Sequence, residues 1–157
     1  MTRVTHARVI RTLTGESDVL YERRMPERGE PVADVLSRDL VSLLRERGYR
    51  ARSDRGDEEL RLNAELINFL IDTKQGFWSG SLEGIAVVKL QIVDTANGRE
   101  VWSDVVRANH VKSGLQFTSE GDHQEVAERL YQELLTNIRA AVPDARSALR
   151  VSGAAAN

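Results

Sequence analysis

The stretch PVADVLSRDLVSLLRERG, residues 31–48, is the one from which the fold can be built. Val32, Val35, Leu36, Leu40, Leu43 and Leu44 recur at spacings of three and four, so a helix over residues 31–47 gathers them into one apolar stripe. Pro31 falls in the first turn, where a proline is tolerated. Gly48 supplies the stop, because glycine takes the left-handed conformation that follows a helix. Such a stripe has to be laid on something, and the segments to either side read as strands.

Upstream, Val4 to Leu13 is rich in β-branched residues, with Val9 and Ile10 at its centre. Thr14 to Asp18 is turn chemistry, Val19 to Tyr21 a short strand piece, and Tyr21 to Glu30 a charged loop. Downstream of Gly48, a polar linker runs from Arg50 to Glu59. Leu60, Leu62, Ala64 and Leu66 then alternate with Arg61, Asn63 and Glu65, as one-sided burial of a strand requires. At Ile67 to Ile71 both faces turn apolar, which fits a bulge or a strand end covered on both sides. Lys74 to Gly84 reads as a glycine-rich loop around Phe77 and Trp78. Ile85 to Val93 is another strand, Asn97-Gly98 is a strong hairpin signal, and Arg99 to Val111 returns as the partner.

A second helix is predicted from about His123 to Val142. Its stripe is Val126, Ala127, Leu130, Tyr131, Leu134, Leu135, Ile138 and Val142, and Pro143 ends it. Asp122 followed by Glu125 reads as its capping box. The order β-α-β-β-β-α predicts an α+β domain over residues 1–143: an antiparallel sheet of about four strands with both helices on one face. Residues 144–157 are expected to be a flexible tail.

Composition limits function without naming it. The 157 residues carry 22 basic and 24 acidic groups, so no global field attracts nucleic acid or anionic lipid. No cysteine is present, which removes disulfides, thiolate metal sites and cysteine nucleophiles. No run of about 18 apolar residues offers a membrane-spanning helix.

Several local features together resemble the YajG-like envelope lipoproteins. They are Ser37-Arg38-Asp39-Leu40 through Leu44, the junction Arg47-Gly48-Tyr49, the strand Leu60 to Leu66, Ile85 to Val93, Thr95-Ala96-Asn97-Gly98-Arg99 and the terminal amphipathic helix. The likeness spans roughly residues 4–142. It implies a non-enzymatic periplasmic domain of an outer-membrane lipoprotein, acting as an accessory or assembly module through contacts with another envelope protein. It implies no cofactor and no catalytic residue. The family begins with a signal peptide and a lipid-modified cysteine, and Met1-Thr2-Arg3-Val4-Thr5-His6 resembles neither. The expectation is therefore either a chain starting downstream of both, with membrane contact only through the anchor, or a soluble relative. An alternative reading is a small-ligand or lipid carrier, which requires a cavity between sheet and helices.

The residues offer few chemical constellations. His6, His110 and His123 lack the short spacing of a metal site, and with Asp104 and Asn109 beside it His110 still needs ligands from elsewhere. Ser37-Arg38-Asp39 and Ser103-Asp104 lack a glycine elbow or a positioned histidine. Asp57-Glu58-Glu59 is an acidic run in a linker. No enzyme is expected. Arg45, Arg47, Arg50, Arg52 and Arg55 form a basic cluster suited to phosphate, although cations also favour a helix C-terminus and acidic neighbours offset them. The turn Gln75-Gly76-Phe77-Trp78-Ser79-Gly80 carries two adjacent large aromatics. Either they fold back as a lid on the sheet, or they anchor a partner. A homodimer, where one forms, is expected to use a sheet edge at the first strand.

Overall fold

The computed structural model describes residues 4–11, 32–52 and 59–153. They form β1 (Val4–Arg11), α1 (Val32–Glu46), β2 (Leu60–Gln75), β3 (Gly80–Asp94), β4 (Glu100–Leu115), α2 (Glu120–Ala141) and α3 (Ala145–Gly153). The predicted strand piece at Val19–Tyr21, the loop that follows, Pro31, Arg55, Asp57 and Glu58 lie outside the described residues.

The sheet has the order β1-β2-β3-β4. The last three strands pair antiparallel, whereas β1 runs parallel to β2, with Val9 opposite Ala64 and Arg11 opposite Leu66. The all-antiparallel sheet expected from the sequence is thus corrected at one edge. The physical reason is the connection: a helix between two strands returns the chain to its starting end, and the two strands then point the same way. The sheet's inner face and the stripes of α1 and α2 enclose one core. Leu36, Leu40 and Leu44 meet Leu62, Leu90 and Ile92 and, from the second helix, Leu130, Leu134 and Ile138, all essentially without solvent contact.

Two features set how closely the layers fit. The register of β2 against β3 slips at Ile67, between Leu66 (opposite Val88) and Asn68 (opposite Val87). This bulge exchanges the buried set from Leu60, Leu62, Ala64 and Leu66 to Phe69, and so accounts for the two-sided apolar run in the sequence. Gly84 lies inside β3, not in a loop. A Cβ there would sit 3.0 Å from Leu130 Cδ2 and 3.3 Å from Val126 Cγ1, so the absent side chain lets α2 approach the sheet.

The ends of the helices are fastened to each other. Gly48, with φ +87°, lets Tyr49 N–H donate to Leu44 O (3.0 Å) and Gly48 N–H to Arg45 O (3.1 Å), the paired bonds of a Schellman turn. The turned chain then reaches α2. Arg47 donates twice to Val142 O (3.1 and 2.8 Å), and the Tyr49 hydroxyl donates to Pro143 O (2.8 Å). Ala145 N–H in turn donates to Arg47 O (3.1 Å) and opens α3. Where the sequence suggested a free tail from residue 144, a third helix buries Ala145 and Ala148. The start of α2 also differs from the reading. Ser119 is the cap, its hydroxyl accepting from Asp122 N–H (3.1 Å) while Asp122 accepts from Ser119 N–H (2.9 Å), so Asp122 closes the box instead of opening it.

Burial pushes the Tyr49 phenol up to about 12, reinforced by the Asp144 carboxylate and opposed by Arg47. An unfolded tyrosine ionises near pH 10, so above that pH the unfolded chain holds fewer protons than the folded one. Stability is therefore intact below pH 10 and falls as pH rises toward 12. In Tyr49→Phe that alkaline fall should be shallower, while at pH 7 the lost hydrogen bond should cost about 1 kcal/mol. Urea unfolding at pH 7, 10 and 11.5 checks both.

Candidate functional site

The upper end of the sheet, where β2 passes into β3 and β4 into α2, carries the exposed aromatic residues. Gln75 pairs with Gly80, leaving a four-residue turn closed by Gly76 N–H donating to Ser79 O at 3.0 Å. A Cβ at Gly76 would lie 2.9 Å from that carbonyl, and one at Gly80 would lie 3.2 Å from Lys74 O, so both glycines permit close backbone approach. Between them Phe77 is 90% and Trp78 86% exposed. Their rings meet edge to face, centroids 4.9 Å apart and planes at 84°. Of the two readings of this turn, the lid is excluded, because neither ring lies on the sheet. The strands run further than the sequence suggested, so the loop expected over residues 74–84 contracts to residues 76–79.

A third aromatic belongs to the same end and has no pattern around it to reveal it. Leu115 pairs with Gly80, and Phe117 leaves the sheet two residues later, 83% exposed. Around these rings lie charged groups from three elements. On β2 and β3, Asp72 faces Glu83, and Lys74 donates to Glu83 at 2.5 Å. At the start of α2, Lys112 from β4 contacts Asp122 (2.8 Å) and Glu125 (2.5 Å). His123 lies against Thr73 Oγ1 (3.2 Å) and Ser119 O (2.9 Å), tying helix to hairpin.

The other candidate residues are spent differently. Arg45 donates to Ala51 O (3.0 Å) and Arg47 to Val142 O, both within the fold. Arg50 and Arg52 also have interactions, and all four stand at the lower end of α1, away from the aromatic turn. Asp39, flanked by Ser37 and Arg38, accepts from the Tyr131 hydroxyl at 2.6 Å and cross-links α1 to α2. Ser103 donates to Glu100 (2.6 Å), and Asp104 accepts from Val105 N–H (2.7 Å). Among the described residues, no three histidines or carboxylates converge as a metal site would need, and no helix is long and apolar enough to cross a membrane. A cleft of about 320 Å³ lies at the lower end, between the 94–96 hairpin and α3, lined by Leu60, Asp94, Leu149 and Ser152. It is not the sheet–helix cavity that a carrier was expected to have.

Hydrogen bonds from Lys112 are the largest cause holding the Asp122 and Glu125 carboxyls below their usual range, with Ser119 adding to the effect at Asp122. Their depressed values mean stability that is present at neutral pH and lost as pH falls below about 4, where the unfolded chain takes up protons first. Lys112→Met should make that acid loss smaller while leaving Ser119's share intact. Unfolding midpoints in urea from pH 7 to pH 2.5 measure the difference.

No family model and no curated protein matches this chain. Solved structures do. A protein described as a neuraminyllactose-binding hemagglutinin homologue from Helicobacter pylori matches 99% of this chain and 89% of its own, at 10% identity and a TM-score of 0.59. A Xanthomonas campestris protein of the DUF330 family matches 88% of this chain and 86% of its own, at 14% identity and a TM-score of 0.51. A minor lipoprotein from Acinetobacter baumannii matches 92% and 97%, at 12% identity and a TM-score of 0.46. At these identities the likeness is one of fold. Bacterial lipoproteins are among the structures resembled, and the YajG-like family remains a resemblance of sequence features.

Proposed function

We propose that this chain is a non-enzymatic domain of a bacterial envelope lipoprotein. In this reading it is held at the periplasmic side of the outer membrane and acts as an accessory or assembly module through protein contacts made by the Phe77–Trp78 turn. The observation that carries this reading is the exposure of two adjacent rings on a turn whose backbone is fixed at both ends. Large aromatics held rigidly in water cost little conformational entropy when a partner covers them, and such residues dominate interface energetics. The resemblance of the sequence features at Arg47-Gly48-Tyr49, Leu60 to Leu66 and Thr95 to Arg99 to the YajG-like envelope lipoproteins supports the envelope setting. Self-association, where it occurs, is expected at the outer edge of β1, since at the opposite edge Asn137 of α2 donates to Arg107 O (2.8 Å) and occupies a main-chain acceptor of β4.

Trp78→Ala should shift stability by no more than about 0.5 kcal/mol, as for an exposed position. A loss of about 3–5 kcal/mol in urea would instead make Trp78 a core residue and end the binding role. In the native host, a photo-crosslinking residue at position 78 should yield adducts with envelope proteins, and one at exposed Lys89 should not. Metabolic labelling of the natural gene product with an alkyne fatty acid tests the anchor, and an unlabelled product confined to the cytoplasm would overturn the envelope setting.

A further inference from the structure

The rings at the upper end do not stand in neutral surroundings. Within the strand ends and the first turns of α2 are the carboxylates Asp72, Glu83, Glu120, Asp122 and Glu125, against the ammonium groups of Lys74 and Lys112, with the Arg129 guanidinium acting on Glu125 from the next turn. Both lysines are already engaged. Lys74 is held by Glu83, and Lys112 is shared between Asp122 and Glu125. Lys74, Lys112 and their partners therefore turn their charges toward each other, and the remainder around Phe77, Trp78 and Phe117 is negative.

We infer that the three aromatics form one docking tip, and that its partner is a protein surface with an apolar recess rimmed by lysine or arginine. Phe117 belongs to the tip because the pairing of Gly80 with Leu115 brings the β4–α2 connection to the end from which the Phe77–Trp78 turn projects. With Phe77, Trp78 and Phe117 between 83% and 90% exposed, the tip offers apolar area on a scale that monomers seldom leave bare. The acidic collar selects among surfaces that would cover it. It repels anionic lipid headgroups and nucleic-acid phosphates, and it attracts a cationic rim, steering the approach before the rings are desolvated. A guanidinium in that rim also finds the π-faces of Trp78 and Phe117.

This inference rests on the protein-contact reading above and adds the partner's chemistry to it. The test uses defined probes. A random-peptide display library is selected on the intact chain and counter-selected on the Phe77→Ala/Trp78→Ala/Phe117→Ala variant, whose folding is checked by urea unfolding. Enriched peptides should combine arginine or lysine with bulky apolar residues. Their affinity should fall about tenfold or more in the triple variant, and should fall as well in Asp72→Lys/Glu120→Lys and with added salt. Peptides that need the rings but show no cationic preference would overturn the inferred partner chemistry while leaving the protein-contact reading in place. Absence of any ring-dependent peptide would overturn the docking tip. Phosphatidylcholine or phosphatidylglycerol vesicles that shift Trp78 emission to the blue, read in a Trp102→Phe background, would replace the protein partner by a membrane. Ring-dependent sedimentation of the chain with itself would replace it by a second copy.

Discussion

The left-handed turn at Gly48 joins the two halves of this protein. A side chain at that φ would be strained, and without the turn neither Arg47 nor Tyr49 would face α2. With it, the carbonyls of Val142 and Pro143, left without helical partners where α2 ends, receive three hydrogen bonds from α1's terminus. Tyr49 is buried in making its bond, so the contact joins apolar burial to polar satisfaction at one place. The Asp39–Tyr131 bond and the Arg139–Glu46 pair add two further ties between the same helices. A helical layer fastened in this way can hold β1, which is joined to its partner strand β2 only by way of α1.

A layer of helices on one face leaves the other face of the sheet in water. That face is dressed with Asn63, Glu65, Lys89 and Asn109 among exposed Leu70, Ile85 and Val111. It is a mixed surface of the sort an antiparallel sheet shows to solvent. Its upper end is different in kind. There the strands outrun the helices' cover, and the chain closes over Gly76 to Gly80 with its largest side chains outward.

What could be read from the sequence follows the range of the forces involved. Helix α1 and its stop at Gly48 are local matters of periodicity and φ, and they appear where the residues place them. The second helix was legible in its stripe but not in its cap. Asp122 suits either end of a capping box, and only the hydroxyl of Ser119, three residues earlier, decides between them. Helix α3 was hidden because it is only nine residues long, follows the break at Pro143 and packs through small residues. Ala145 is held by Arg47 and lies against Gly48, a part of the chain about a hundred residues distant. The parallel pairing of β1 was implicit in the strand–helix–strand order, which outweighs the hairpin signals further on. At the candidate site, Phe77 and Trp78 announced themselves as an adjacent pair between glycines, yet the sequence left lid and anchor equally open. Phe117 gave no signal at all, because its neighbourhood is created by the register of Gly80 with Leu115.

That register also bears on why the rings stay exposed. A flexible loop carrying Phe and Trp would be expected to collapse onto the nearest apolar surface, and the open sheet face with Ile85 and Leu70 lies close along the same strands. Here the turn has no slack with which to do so. Gln75 and Gly80 are already paired, Gly76 and Ser79 close the remaining gap, and the backbone atoms lie too near each other for even a Cβ at Gly76. The two rings meet only each other, edge to face, which covers a small part of either. The geometry thus withholds from the free protein the burial that a partner would supply, and the affinity of the tip need not be reduced by the cost of first ordering it.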